Sequence, residues 1–131
     1  MNIYSSLSLA YIGDSVYEVY IRTRLLENGD RRVKDLHRSA KEYVSAKAQC
    51  EIALNIMEHL TEEEIIVYKR GRNTKVNTKA KNADMKEYHS ATGLEALIGH
   101  HYLAGNSERL KELLDLCYDI ANEIKKVKVN G

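Results

Sequence analysis

The sequence has no proline, no phenylalanine and no tryptophan, and only seven of its 131 residues are glycine. Without proline, the chain lacks the residue that most strongly interrupts helices, and it is rich in the helix formers Ala, Leu, Glu and Lys. No stretch alternates apolar and polar residues over the length that a β-strand needs. These features predict an all-α fold, and we expect residues 1–131 to form a single domain with its own core.

The sequence also lacks an apolar run as long as a membrane span, and its N-terminus lacks the basic region that begins a secretory signal. It has only two cysteines, Cys50 and Cys117, which lie in helical patterns without the spacing of a metal site. We therefore expect two buried, reduced thiols in a cytoplasmic protein.

Acidic residues are missing from residues 69–81, where six side chains are basic: Lys69, Arg70, Arg72, Lys75, Lys79 and Lys81. The whole chain carries a formal net charge of only +1, so the remainder of the chain is acidic. A basic segment on an acidic protein either contacts a polyanion or is a solvated loop without a partner, and charge alone favours neither.

Helical spacing and capping residues divide the chain into predicted helices. The first starts near Asn2 or Ser5 and ends near Glu27, and Asp30 can cap the second, which breaks around Val44 and Ser45. Thr61 and Glu64 fit a capping box, which explains the acids at 62–64 better than a metal site does. The remaining predictions are a helix end near residue 71, a loop over 71–82, helices over 83–104 and 107–126, and a frayed tail after 126.

The stretch AYIGDSVYEVYIR, residues 10–22, is apolar on nearly all sides of a helical wheel. A helix of this kind is buried in a core or in a subunit interface. Asp14 falls between Ile21 and Leu25 on the wheel, among apolar neighbours. An ionised carboxylate there is costly unless it is paired, hydrogen-bonded or bound to a metal ion.

The stretch ATGLEALIG, residues 91–99, repeats this combination of a carboxylate, Glu95, with apolar neighbours. The small residues Gly93 and Gly99 would let another helix approach closely. Two carboxylates facing each other across such a helix contact repel unless a proton or a cation lies between them. Mg²⁺, a hard cation that prefers oxygen ligands, would satisfy both carboxylates.

Four motifs, in order along the chain, together resemble the ribonuclease III family. Residues 11–16 (YIGDSV) are similar to the helix that carries the family's catalytic aspartate, and residues 94–99 (LEALIG) are similar to its second catalytic motif. Residues 36–49 and 70–73 resemble the bacterial Mini-ribonuclease III branch, which lacks a double-stranded-RNA-binding domain. The resemblance covers essentially the whole chain and implies a ribonuclease III-like helical endonuclease domain.

Two positions depart from the longer enzymes of that family. Those enzymes carry a glutamate four residues before the aspartate, where this chain has Ala10, and an aspartate three residues before the second glutamate, where it has Thr92. The resemblance therefore carries over Asp14 and Glu95 alone, as catalytic residues and as ligands of Mg²⁺, for which Mn²⁺ can substitute. It leaves open the number of metal ions and their other ligands.

The resemblance also implies what the protein acts on. It implies metal-dependent hydrolysis of double-stranded RNA to 5′-phosphate and 3′-hydroxyl ends, by a homodimer whose two sites cut both strands. The substrate implied is precursor 23S ribosomal RNA, with a ribosomal protein as a possible helper. With no separate RNA-binding domain, we expect the basic segment to contact the RNA backbone through Arg70, Arg72, Asn73, Lys79 and Lys81.

Two other functions stay open at this point. Ribonuclease III-like domains also occur as non-catalytic RNA-binding or assembly modules, and the retention of both Asp14 and Glu95 favours the enzyme over such a module. A plain helical interaction domain would explain the apolar pattern, but not the two acids or the basic segment.

Overall fold

The computed structural model describes residues 4–74 and 82–130, without the side chains of 82–84. Within those ranges the chain is helical and has no β-strand, as the composition predicts. It forms α1 (Ser6–Glu27), α2 (Val33–Val44), α3 (Ala46–Ile56), a short 3₁₀ turn (Met57–His59), α4 (Glu62–Arg72), α5 (Asn82–Leu103) and α6 (Ser107–Asn130). None of these helices is both long enough and apolar enough to cross a membrane.

Three of the predicted helix starts are confirmed by side-chain caps. Ser5 Oγ accepts a hydrogen bond from the Ser8 amide at the start of α1. The break between α2 and α3 falls at Ser45, whose Oγ accepts from the Ala48 amide. Thr61 and Glu64 form the predicted capping box at the start of α4. Each side chain satisfies a backbone N–H that the first turn of a helix leaves without a partner.

Other predicted helix ends are wrong by several residues. Asp30 does not cap α2, which follows Arg32 without a side-chain cap. An acid inside the first turn, Asp35, favours the helix start instead. At the other end of the chain, α6 does not fray after residue 126 but continues to Asn130. Lys128 pairs with Glu51 of α3 at 3.0 Å and so ties this last part of α6 to the body of the protein.

Helix α5 lies at the centre of the fold and contacts α1, α3, α4 and α6. Its contact with α1 is a direct approach of two backbones at two glycines. A Cβ atom at Gly99 would lie 1.9 Å from the Leu9 carbonyl oxygen, and one at Gly13 would lie 1.8 Å from the Glu95 carbonyl oxygen. The close approach predicted at Gly99 is therefore confirmed, and at Gly93 the neighbour is Tyr68 of α4.

The core fills the space between these helices. Cys50 and Cys117 are both buried and unpaired, as expected. The largest fully buried side chains come from α1, α3, α5 and α6: Tyr17, Ile21, Ile52, Ile56, Leu94, Leu97, Ile98, Leu113, Gln49 and Cys117. Gln49 is the polar member of this set.

The core of the single chain covers only one face of α1, so of the two predicted kinds of burial the core accounts for that face alone. Leu9, Ala10, Gly13, Tyr17, Ile21 and Leu25 are buried. The opposite face is in contact with solvent, and there Tyr11 is 81% exposed and Val19 is 65% exposed. Asp14 is also exposed, although its wheel position lies among apolar residues. The reason is that α1 packs on the rest of the chain along one side alone.

A buried ion pair joins the start of α4 to α5 and α6. Glu64 accepts two hydrogen bonds of 2.8 Å from the Arg109 guanidinium, and His101 Nε2 lies 2.7 Å from the same carboxylate. The hydrogen bonds from Arg109 hold the pKa of Glu64 at about 2, well below its ordinary value. Glu64, which completes the capping box of α4, thus also fixes the start of this helix to its neighbours.

We expect the Gly99→Ala substitution to destabilise the fold, because its methyl group would meet the backbone of α1 rather than a flexible side chain. Overpacking of this kind costs about 1–3 kcal/mol, occasionally more. Urea denaturation measures the loss in the free energy of unfolding. The matched control is Tyr102→Ala in the same helix, since that side chain is 50% exposed. Equal stability of Gly99→Ala and wild type would contradict the close contact of α1 and α5.

Candidate active site

An open cleft of about 460 Å³ lies between the first part of α1, the first part of α3 and the middle of α5. Asp14 enters it from α1 and Glu95 from α5, so the structure brings together the two carboxylates that the sequence singled out. The other lining residues are Leu7, Ala10, Tyr11, Ser15, Val44, Ala46, Gln49, Tyr88, Ala91 and Thr92. The wall of the cleft combines apolar and aromatic side chains with polar groups near the acids.

The two carboxylates interact electrostatically. Glu95 is half-buried, and this burial raises its pKa to about 8. A hydrogen bond from Gln49 lowers the pKa of Glu95, whereas the neighbouring Asp14 carboxylate raises it. The shifted value means that at neutral pH the pair holds a proton in the absence of a cation. A divalent cation could replace that proton and relieve the repulsion between the two acids.

Gln49 is a member of this cluster that the sequence analysis missed. Its Nε2 donates to Glu95 Oε2 at 3.1 Å and to the Val44 carbonyl at 3.0 Å. A signal was available in the sequence, because Gln49 lies on the same stripe of α3 as Ile52, Ala53 and Ile56. A glutamine on an otherwise apolar helix face is costly to bury unless its amide finds partners.

The residues of the cleft fit a hard cation. Mg²⁺ is bound by oxygen ligands and commonly uses one or two carboxylates while keeping several water molecules. Asp14 and Glu95 supply the carboxylates, and Gln49 Oε1 is a buried acceptor with no hydrogen-bond partner in the described part of the chain. Over the same residues no group of three or more His, Cys, Asp or Glu side chains is placed to hold a metal ion. The protein ligands would therefore be few.

The two positions that depart from the longer enzymes, Ala10 and Thr92, line this same cleft. Ala10 offers no ligand. The Thr92 hydroxyl donates to the Tyr88 carbonyl of its own helix at 2.9 Å, an ordinary bond of a buried threonine in a helix. At these two positions, where the longer enzymes carry acids, this chain therefore has no charged side chain.

The basic segment begins beside the cleft. Arg70, Arg72 and Asn73 lie at the end of α4. Gly71, between Arg70 and Arg72, packs against α5: a Cβ atom added to it would lie 3.2 Å from the Thr92 carbonyl oxygen. The Arg72 guanidinium stacks over the Tyr68 ring at 5.7 Å and donates to Asn73 Oδ1 at 3.1 Å. Lys79 and Lys81, the other two predicted RNA contacts, lie outside the described residues.

Comparisons with known proteins agree on one family. The model of the Ribonuclease III domain family matches residues 7–106. The chain is 52% identical over 113 residues to Mini-ribonuclease 3 of Symbiobacterium thermophilum. The alignment covers 86% of this chain and 87% of that protein. It is 50% identical over 125 residues to Mini-ribonuclease 3 of Enterococcus faecalis. That alignment covers 94% of this chain and 90% of the relative. A crystal structure of a Fusobacterium nucleatum protein matches with a TM-score of 0.78 at 34% identity, over 90% of this chain and 94% of that one.

The raised pKa of Glu95 predicts a pH-dependent stability in the absence of metal ions. The folded state keeps the Glu95 proton up to about pH 8, whereas the ordinary pKa of the group is 4.5. The folded state therefore binds the proton more tightly, and this contribution to the free energy of unfolding is lost as pH rises through that interval. Urea denaturation in a chelator, at about pH 5 and at about pH 8, measures the decline.

Asp14→Asn removes the neighbouring charge and should make that decline smaller than in wild type. Glu27→Gln, an exposed substitution at the far end of α1, is the control and should decline like wild type. An Asp14→Asn variant with the full wild-type decline would show that the two carboxylates do not interact.

Proposed function

The chain belongs to the Mini-ribonuclease 3 branch of the ribonuclease III family and is an endoribonuclease, and from this premise we propose that it cleaves double-stranded RNA at the cleft holding Asp14 and Glu95. The observation that carries this assignment is the meeting of these two acids from separate helices in one cleft, where burial and the neighbouring Asp14 carboxylate raise the pKa of Glu95. Acids in that arrangement are suited to binding a divalent cation, and perturbed carboxylates in a cleft mark functional sites.

Asp14 and Glu95 would hold Mg²⁺, with Mn²⁺ as a substitute. When bound, the cation supplies an activated water and stabilises charge on the oxygens of the phosphodiester. The side chains themselves contribute charge and orientation. Asp14 is exposed and therefore accessible to a substrate phosphate, whereas Glu95 is half-buried and held by a hydrogen bond. The expected products carry 5′-phosphate and 3′-hydroxyl ends.

A homodimer would explain the exposed apolar face of α1. Leu7, Tyr11, Val19 and Leu26 are 42%, 81%, 65% and 52% exposed, and their spacing of one turn and then about two turns places them along one side of the helix. Burial of such a stripe against a second copy would remove it from water. Because Leu7 and Tyr11 also line the cleft, this surface reaches the site, and two clefts would lie near one duplex.

The basic end of α4 is the proposed contact with the RNA backbone. Arg70 and Asn73 are exposed and Arg72 is half-buried, and these three residues flank Gly71, which packs beside Thr92. Lys79 and Lys81 complete the proposed set from their positions in the sequence. A-form RNA is bound largely through its shape, its phosphates and its 2′-hydroxyls, so cations at the rim of a cleft suit it.

Precursor 23S ribosomal RNA is the substrate that we propose within this class. Its support is the resemblance to the Mini-ribonuclease 3 branch, and such a substrate agrees with a cytoplasmic enzyme. A ribosomal protein could assist by presenting the RNA stem. Cleavage of a precursor 23S stem, compared with an unrelated duplex of equal length, tests this choice separately from the reaction itself.

We expect Asp14→Asn and Glu95→Gln each to lower the rate of double-stranded RNA cleavage by at least about 100-fold, because the metal site is worth several kcal/mol to the transition state. The measurement is single-turnover cleavage with Mg²⁺, with Mn²⁺ and with a chelator. Ser15→Ala, in the same cleft wall, is the control and should keep most of the activity. Wild-type rates in either acid variant would refute the assignment. Binding of RNA without cleavage by wild type would favour the non-catalytic module instead.

Arg72→Ala should weaken RNA binding and lower the slope of log affinity against log salt concentration by about one unit. The reason is that one fewer phosphate is neutralised and one fewer counterion released. Fluorescence anisotropy of a labelled duplex over a range of salt concentrations measures both quantities. Lys111→Ala is the matched control, because Lys111 is an exposed cation on α6, whose Arg109 binds the start of α4, the end opposite Arg72. An unchanged slope for Arg72→Ala would remove Arg72 from the RNA contact.

A further inference from the structure

Gln49 is fully buried, at 1% exposure, on a face of α3 that is otherwise apolar. A methionine or leucine would fill this place without any polar group to satisfy. A primary amide is retained in such surroundings at a cost unless its hydrogen bonds are made. The two bonds that it donates go to the Val44 carbonyl and to the Glu95 carboxylate.

The break between α2 and α3 determines where the Gln49 amide points. In a continuous helix the Val44 carbonyl would accept from the Ala48 amide. Here the Ala48 amide is bonded to Ser45 Oγ instead, so the Val44 carbonyl accepts from Gln49 Nε2. Both partners of the amide are acceptors, and therefore Nε2 must face them both and Oε1 must face away.

The second N–H of the amide binds one defined oxygen of Glu95. Oε2 of that carboxylate accepts this bond at 3.1 Å, which restricts the rotation of the carboxylate and makes Oε1 the oxygen that Gln49 does not bind. An N–H donor also favours the ionised form of a carboxylate over the protonated form. Gln49 thus acts on both the orientation and the charge of a residue in the proposed site.

We propose that Gln49 is the positioning residue of the metal site, holding the Glu95 carboxylate through an amide that is itself held by the helix break at Ser45. This inference rests on the proposed metal-dependent function. Partners that orient a metal ligand typically contribute about 10–100-fold to metal affinity or activity.

The first test uses wild-type protein and depends on no variant. Gln49 is the only glutamine in the chain, so its side-chain NH₂ group gives one distinct pair of NMR signals. On titration with MgCl₂, these signals should shift with the same midpoint as the Glu95 carboxyl carbon. The Asn122 side chain, bonded to Tyr43 away from the cleft, is the internal control and should not move.

The second test is the Gln49→Met substitution, which keeps the shape and removes the donor. We expect affinity for Mg²⁺, measured by calorimetry without RNA, and kcat to fall by about 10–100-fold, with KM for RNA nearly unchanged. Ile52→Val is the matched control, because Ile52 is a buried neighbour on α3 that does not line the cleft. This control should lose stability without losing Mg²⁺ affinity.

The outcomes separate this inference from the proposed function. If the Glu95 signal shifts with Mg²⁺ and the Gln49 signals do not, or if Gln49→Met binds Mg²⁺ like wild type, Gln49 is not a positioning residue although the metal site stands. If neither signal shifts and wild type binds no Mg²⁺, the proposed function itself fails, and the inference fails with it. If Gln49→Met does not fold, the wild-type titration still decides.

Discussion

The close contact of the α1 and α5 backbones is the constraint on which the candidate site depends. Gly13 and Gly99 lack the Cβ atoms that would hold the two helices apart, and each lies against a carbonyl oxygen of the other helix. Because Gly13 precedes Asp14 and its contact is the Glu95 carbonyl, the same approach that closes the core brings the two carboxylates together. Packing and site geometry are therefore one feature of the structure rather than two.

Helix α5 extends this coupling to the rest of the molecule. Gly93 accommodates Tyr68 of α4, and Gly71 of α4 packs in turn on Gly93 and Ala96. This second close contact positions the basic end of α4 beside Thr92, whereas the Glu64–Arg109 ion pair fixes its opposite end. A helix anchored at both ends can present cations at a defined distance from the acids.

Two buried polar side chains follow the same physical rule in different places. Glu64 is charged in the interior and is paired with Arg109, whose guanidinium binds both of its oxygens. Gln49 is neutral and is bonded through both of its N–H groups, whereas its Oε1 has no hydrogen-bond partner among the described residues. In each case the bonds that make burial tolerable also fix a neighbouring element: the start of α4 in the first case, the Glu95 carboxylate in the second.

Local patterns in the sequence were sufficient for the helical class, the caps at Ser5 and Thr61, the break at Ser45 and the close approach at Gly99. They also singled out Asp14 and Glu95 as candidates, because an acid within an apolar helix beside glycine is visible in one dimension. These features depend on residues within a few positions of each other, where helical spacing relates sequence to space directly.

The tertiary structure alone decided which of these residues meet. The helical wheel placed Asp14 among apolar neighbours, yet one side of α1 faces solvent and Asp14 lies exposed at the mouth of a cleft. Gln49 and Glu95 are 46 residues apart, and their hydrogen bond follows from how α3 packs on α5. Lys128 of α6 likewise meets a distant residue, Glu51 of α3, 77 positions before it in the chain. Such contacts are set by the packing of whole helices, which spacing within any one helix does not encode.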